Sequence, residues 1–170
     1  MNIFATNSCP RLSAEDLPDK LLVKMVVETA QILSTAHRVL DGDEAADGKD
    51  LYQSTHVNHP SCIWARETDG NYTWLFNHFA WLSLEYEHRY GREHKTWLRL
   101  MHGLHDPPGQ IACGSITPMP ACMPDEYKVD GDDDGLPVFS YRKYLSQGKS
   151  YVTSADAWSK ARQVPSWYGQ

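Results

Sequence analysis

The chain has 170 residues, of which 41% are hydrophobic and 22% charged, a composition that predicts one folded domain and excludes an intrinsically disordered protein. Its formal net charge of −6 gives no general attraction to phosphate or to an anionic membrane, so a nucleic-acid partner would need a local basic patch. No apolar run approaches the roughly 18 residues of a membrane helix, and no secretory signal is recognisable. We therefore expect a cytoplasmic protein without a membrane partner.

The elements predicted along the chain are all helices, in a compact all-α bundle that forms a single domain over residues 1–170. The first helix, from Asp19 to Leu40, is apolar around most of its circumference, which indicates that it is buried at the centre of the fold. Further helices are predicted at 60–66, 71–90, 92–104, 138–147 and 154–162. Residues 41–50 are expected as a solvated loop, and residues 105–137, which are rich in proline and acidic residues, as a long loop within the domain.

One polar stripe interrupts the apolar surface of the first helix. Steps of three and four residues place Lys20, Lys24, Glu28, Gln31 and Thr35 along one face. This stripe is either a solvated strip with one Lys24–Glu28 ion pair or a line of acid–base groups facing a cleft. Both interpretations require Glu28 to reach water.

Histidine and cysteine are the other candidates for chemistry. The chain has eight histidines, and His56 and His59 share one turn, but two histidines two residues apart do not fix a ligand geometry, and no His-Glu-x-x-His motif is present. A metal enzyme that uses His56, His59 and a third histidine is therefore an alternative, while the main interpretation expects no metal ion and no organic cofactor. The four cysteines contain no Cys-x-x-Cys pair, so reduced thiols are expected.

A local basic patch is predicted between residues 88 and 99. It combines the cations Arg89, Arg92, Lys95 and Arg99 with two aromatic residues, which suits the binding of DNA phosphates and the stacking of bases. Ordinary surface cations at a helix end are an equally good interpretation. The pair Trp167–Tyr168 near the end of the chain is either part of the core or a second stacking platform.

Four segments resemble the pyrimidine-dimer DNA glycosylase family of phages and bacteria, the endonuclease V-like excision enzymes, and especially their small phage-encoded members. They are Asp19–Glu28 in the first helix, His59-Pro60 followed by Trp64, Glu87–Gly91 at the end of a long helix, and Val164–Tyr168. The resemblance implies a DNA glycosylase and lyase of DNA repair that acts on a damaged or modified pyrimidine.

The resemblance also implies a mechanism. In such enzymes the amine at the chain start attacks a sugar carbon, and a glutamate of the early helix assists base loss and strand cleavage through a Schiff base. Glu28 resembles that glutamate. Asn2 is a poor context for removal of the initiator methionine, so the amine would be that of Met1, with Lys20 or Lys24 as alternative nucleophiles. A terminal amine generally has a pKa of about 7.7–8, well below that of lysine, and is more readily deprotonated.

The substrate-binding residues that this interpretation expects are aromatic, cationic or histidine side chains around a kinked DNA with a displaced base. They are His59, Trp64, Arg66, Arg89, Arg92, Lys95, Arg99, Trp167 and Tyr168. A pyrimidine nucleotide is an alternative to DNA as the substrate. The competing class is a non-catalytic phage protein of the host cytoplasm that binds a host protein through the loop 105–137 and the aromatic tail. The sequence leaves the oligomeric state open.

Overall fold

The computed structural model describes residues 1–132, 135–148 and 155–169. Within these ranges the regular structure is helical and contains no β-strand, which confirms the prediction of an all-α fold. The α-helices are α1 (Pro10–Glu15), α2 (Asp19–Asp41), α3 (Asp43–Gly48), α4 (Pro60–Ala65), α5 (Asp69–Tyr90), α6 (Lys95–Leu104) and α7 (Val138–Lys143). The structure also has short 3-10 turns at Asp125–Tyr127 and Ala155–Trp158 and a π-helical turn at Tyr144–Gly148.

Helix α2 lies at the centre of the core, as its apolar circumference predicts. It begins after Pro18, which is held in the extended region, and it ends at Gly42, which adopts a φ of +89°. Apolar side chains such as Leu22, Met25 and Leu33 are fully buried, and the helix packs against α3, α4, α5 and α6. None of the described helices is both long enough and apolar enough to span a bilayer.

Helix α5 packs against both α2 and α1. Thr68 caps its N-terminus by accepting the backbone N–H of Asn71 at 3.1 Å, so the helix begins two residues earlier than predicted. Gly91 ends it in the left-handed conformation at a φ of +67°, which a residue without Cβ adopts at little cost.

Several short elements differ from the helices predicted from the sequence. Residues 10–15 and part of the expected loop 41–50 form α1 and α3. Helix α3 is folded onto a buried cation, since Arg38 donates to Asp43 at 2.9 Å and to Asp47 at 2.6 Å. Helix α6 begins at Lys95 instead of residue 92 because the ring of His94 caps it by accepting the N–H of Thr96.

The C-terminal helices are also shorter than predicted. The helix expected at 138–147 is α7 followed by the π-helical turn, and the helix expected at 154–162 is the single 3-10 turn Ala155–Trp158. Residue 154 lies outside the described residues.

The described part of the proline-rich segment 105–137 is held by backbone contacts to the start of α5. The N–H of Asp69 donates to the carbonyl of Ala112 at 2.9 Å, and the N–H of Gly70 donates to that of Gly114 at 3.2 Å. The amide of Asn71 donates to both the carbonyl of Trp64 and the hydroxyl of Thr117. The first turn of α5 is therefore the anchor of this segment.

Gly70 is expected to tolerate no side chain. A Cβ there would lie 2.6 Å from the carbonyl oxygen of Gly114 and 2.8 Å from backbone atoms of Ser115 and Ile116, so Gly70→Ala is expected to destabilise the protein by about 1–3 kcal/mol. Gly48→Ala is the matched control, because no atom lies within 4 Å of its Cβ position. Urea unfolding of both variants measures the effect, and equal stability would contradict the close approach.

Two buried histidines are expected to make the protein sensitive to mild acid. Burial lowers the pKa of both His37 and His78 to about 4, whereas each titrates near 6.5 in the unfolded chain. The unfolded state therefore binds more protons below pH 6.5, and stability falls as the pH decreases towards 4. Between pH 7 and 4.5 each histidine contributes a loss of about 2.5 kcal/mol.

Urea unfolding across this pH range tests the expectation. His78→Gln is expected to reduce the loss of stability between pH 7 and 4.5 by about 2.5 kcal/mol, while His88→Gln, at an exposed position, is expected to leave it unchanged. The same slope in all three proteins would contradict the assignment.

Candidate active site

The chain start is anchored through the side chain of Asn2. Its amide nitrogen donates to the carbonyl of Cys122 at 2.7 Å, and its amide oxygen accepts the N–H of Ile3 and the hydroxyl of Tyr141. Ile3 and Tyr141 are fully buried. The terminal amine therefore belongs to Met1, the residue directly before the anchored Asn2.

His59 lies at the junction of the chain start with α2 and α4. Its Nδ1 accepts the backbone N–H of Ser61 at 3.2 Å, which caps α4, so the neutral ring carries its proton on Nε2. Burial lowers the pKa of His59, the terminal amine and His56 lower it further, and Glu28 raises it. The terminal amine, His59 and Glu28 thus share one electrostatic neighbourhood.

Glu28 lies at the border between solvent and core. Its side chain is 15% exposed and its carboxylate lies 3.1 Å from the ammonium of Lys24, which is 62% exposed. Further along the stripe, Thr35 is buried and accepts the N–H of Thr55 at 3.1 Å. The polar stripe therefore runs from solvent into the interior, and Glu28 retains the access to water that its candidate role requires.

Lys20 lies apart from Glu28. The two residues are eight positions apart on α2, or about 12 Å along the helix axis. Lys20 lines a cavity of about 280 Å³, together with Tyr90 and Lys160. Of the two candidate lysines, only Lys24 is in contact with Glu28.

Sequence reasoning missed the thiols and the tyrosine beside the chain start. The hydroxyl of Ser61 lies 3.5 Å from the sulfur of Cys122. Burial raises the pKa of Cys62 to about 11, although Arg66 and the terminal amine oppose the rise, so this thiol is neutral and a poor nucleophile. Tyr141 lies 139 positions from its partner Asn2, and no spacing pattern in the sequence connects them.

Two of the expected substrate contacts are interior residues. Trp64 is 2% exposed, and its indole N–H donates to the carbonyl of Thr117 at 2.9 Å. The guanidinium of Arg89 is fully buried and binds Asp19 at 3.0 Å and Glu85 at 2.6 Å. Neither side chain can contact DNA in this fold, because each is covered and already paired, and the expected contacts at these two positions are corrected accordingly.

The other expected cations are accessible to different degrees. Lys95 is exposed, and the exposed Arg92 donates to the hydroxyl of Tyr86 at 3.2 Å. Arg99 donates a bidentate pair of hydrogen bonds to the carboxylate of Asp50, at 2.8 and 2.9 Å. Arg66 is partly buried and donates to backbone carbonyls at 2.7 and 3.0 Å. Lys95 and Arg92 thus have the most donor capacity left for phosphate.

The aromatic pair of the tail is half-buried. The indole N–H of Trp167 donates to Asp16 at 3.0 Å, and Tyr168 packs edge-on against Trp158 at 4.8 Å between ring centroids. Each ring is fixed by an internal contact and keeps part of its surface open, so the pair borders the core, and base stacking on it stays a prediction.

The histidine pair has structural partners. His56 contacts the hydroxyl of Thr55 at 2.6 Å, and His59 caps α4. Over residues 1–132, 135–148 and 155–169, no three His, Cys, Asp or Glu side chains are arranged to hold a metal ion.

Comparison with known proteins gives one match. A family model described as pyrimidine dimer DNA glycosylase matches residues 1–99, which is more than half of the chain. The matched region contains Met1, Glu28 and His59, whereas Cys122 and Tyr141 lie beyond it. No curated protein and no solved structure matches the chain.

Proposed function

Because the chain belongs to the pyrimidine dimer DNA glycosylase family, we propose that it is a glycosylase and lyase in which the amine of Met1 is the nucleophile and Glu28 the acid–base group. The substrate is a damaged or modified pyrimidine in DNA. The observation that supports these roles is that Asn2, the residue directly after Met1, is anchored to Cys122 and Tyr141, while Glu28 keeps a side chain that is 15% exposed.

The proposed reaction begins when the neutral amine attacks C1′ of the target nucleotide. The glycosidic C1′–N bond breaks, the base leaves with a proton, and opening of the sugar ring gives an iminium between the amine nitrogen and C1′. Removal of a proton from C2′ then breaks the C3′–O bond and cleaves the strand. Water hydrolyses the iminium and restores the amine.

Glu28 is suited to the proton transfers in this sequence. Its side chain is 15% exposed, so the carboxylate is shielded from bulk water and a displaced nucleotide can still reach it. This position favours general acid–base catalysis. Lys24, at 3.1 Å, orients the carboxylate. We propose that the Nε2–H of His59 donates a hydrogen bond to the sugar, because its Nδ1 is already occupied by the N–H of Ser61.

DNA is the partner that the family implies, although the chain is acidic overall. We propose that Arg92 and Lys95 supply phosphate contacts, since both are exposed. Such contacts make binding strongly dependent on salt, and the net charge of −6 limits non-specific attraction to DNA outside the bound region.

Trapping with borohydride tests the mechanism. The protein is incubated with a duplex that carries a thymine dimer and, separately, with one that carries an abasic site, and borohydride is added to reduce any iminium. We expect a covalent adduct that peptide mapping assigns to Met1. An adduct on Lys24 or Lys20 would move the nucleophile to that lysine. No adduct with dimer, abasic and modified-pyrimidine duplexes would contradict the Schiff-base mechanism.

Tyr141→Phe is expected to slow adduct formation by about tenfold or more, because small misplacements of a reacting group are costly. The hydroxyl of Tyr141 fixes Asn2 and so the chain start. DNA affinity is expected to stay unchanged, as measured by fluorescence anisotropy. Tyr127→Phe is the control, and equal rates in both variants would contradict the positioning role.

A further inference from the structure

A second cavity lies between α7 and the aromatic tail, in the part of the chain that the family model does not match. It has a volume of about 360 Å³ and is lined by Phe139, Arg142, Lys143, Ser146, Gln147 and Trp167. We refer to it as the tail cavity. It combines two aromatic rings with two cations, and the proposed chemistry uses none of its residues.

The aromatic rings of the tail cavity offer surface for stacking. Phe139 is 49% exposed, although large apolar side chains are usually covered. Trp167 is half-buried and is held by its N–H to Asp16 at 3.0 Å. The guanidinium carbon of Arg142 lies 5.9 Å from the centroid of Phe139 and 5.6 Å from that of Trp167. A planar ligand can therefore stack on a fixed ring while remaining close to a cation.

The cations of the tail cavity are positioned and have donors to spare. Arg142 donates through Nε to the carbonyl of Thr6 at 2.8 Å, and its two terminal nitrogens have no hydrogen-bond partner among the described residues. Lys143 donates to the carbonyl of Glu126 at 2.7 Å, which leaves further N–H groups of its ammonium. A guanidinium group beside an ammonium group is suited to bind a phosphate through charge-assisted hydrogen bonds.

The tail cavity is close to the chain start. Arg142 binds the backbone of Thr6, and its neighbour Tyr141 binds the side chain of Asn2. The five residue steps from Met1 to Thr6 span at most about 18 Å, and a DNA strand rises about 3.4 Å per nucleotide. The cavity therefore lies within about five nucleotide steps of the terminal amine.

We propose that the tail cavity binds one nucleotide of the DNA that flanks the target, with its base stacked on the exposed ring of Phe139 and its phosphate held by Arg142 and Lys143. The proposal rests on the proposed function, which supplies the DNA and the position of the reacting nucleotide. Every base has a stacking face, so this contact strengthens binding with little sequence preference.

Fluorescent duplexes test this proposal without requiring the chemistry. Each duplex carries a tetrahydrofuran abasic analogue, which cannot form an iminium, and one 2-aminopurine at a chosen flanking position. We expect a change in 2-aminopurine fluorescence on binding at a single position within about five steps of the analogue. Phe139→Ala is expected to abolish this change and to weaken binding about tenfold, the usual effect of losing a base stack.

The controls separate the cavity from the rest of the surface. Leu98→Ala removes another exposed apolar side chain, one that is 51% exposed, and is expected to change neither fluorescence nor affinity. Lys143→Gln is expected to reduce the slope of log affinity against log salt by about one. Arg142 is left intact because it also holds the backbone of Thr6.

The outcomes distinguish this proposal from the proposed chemistry. A fluorescence change that depends on Phe139, found together with no borohydride adduct, would support the cavity and contradict the Schiff-base mechanism. An adduct found with identical fluorescence in the native protein and Phe139→Ala would overturn the cavity alone. The proposal would also be overturned if the protein bound none of the duplexes. It would likewise be overturned if the protein bound free dAMP and DNA did not displace this dAMP.

Discussion

Replacing Glu28 by Gln is expected to lower the rate of borohydride-trapped adduct formation at least about a hundredfold, the usual contribution of a positioned acid–base group. Glutamine keeps the shape of the side chain but cannot accept a proton. Its structural cost is small, because an i,i+4 ion pair such as Lys24–Glu28 stabilises a helix by only about 0.2–0.5 kcal/mol. The loss is therefore expected in the rate and not in the stability.

Single-turnover kinetics with saturating DNA measures this effect. Glu44→Gln, at an exposed position of α3, is the matched control and is expected to react at the native rate. Lys24→Gln separates orientation of the carboxylate from its chemistry and is expected to cost less than Glu28→Gln. A Glu28→Gln protein that forms the adduct at the native rate would remove Glu28 from the mechanism.

Replacing Arg89 by Leu is expected to destabilise the protein by about 3–5 kcal/mol, because it leaves a buried carboxylate without its cation. Arg89 binds Asp19 at the start of α2 and Glu85 on α5, and it also donates to the carbonyls of Leu17 and Glu15 at 2.7 and 2.8 Å. This one side chain thus joins the beginning of α2 to the C-terminal half of α5.

The C-terminal segment depends on the same cluster. Arg162 binds both oxygens of Glu85 at 2.8 and 2.7 Å. Burial alone would raise the pKa of Glu85, but hydrogen bonds from Arg162 and Arg89 lower it below its ordinary value. In Arg89→Leu, Glu85 keeps Arg162, whereas the side chain of Asp19 keeps, among the described residues, only the hydroxyl of Ser159. Most of the cost is therefore expected at Asp19.

Urea unfolding at neutral pH measures the loss of stability. Arg99→Leu is the control, because its pair with Asp50 is exposed on both sides and such pairs contribute about 0–1 kcal/mol. Asp19→Asn combined with Arg89→Leu is expected to recover part of the loss, since it removes the unpaired charge. Equal stability of Arg89→Leu and Arg99→Leu would show that the buried cluster does not support the fold.

The sequence by itself determined the features that depend on local spacing. The apolar circumference of residues 19–40 predicted the buried α2, steps of three and four residues placed Lys24 beside Glu28, and Gly91 marked the end of α5. The segments around Glu28, His59 and Gly91 also identified the family. Each of these signals lies within a few helical turns, where 3.6 residues per turn relates sequence to geometry directly.

Only the tertiary structure decided which polar groups are buried and what lies beside the chain start. Arg89 belongs to a basic patch in the sequence, yet its partner Asp19 is 70 positions away and makes it an interior residue. Asn2 and Tyr141, 139 positions apart, connect the matched region to the segment beyond it. Contacts over such separations follow from the packing of the whole chain, and no periodicity encodes them.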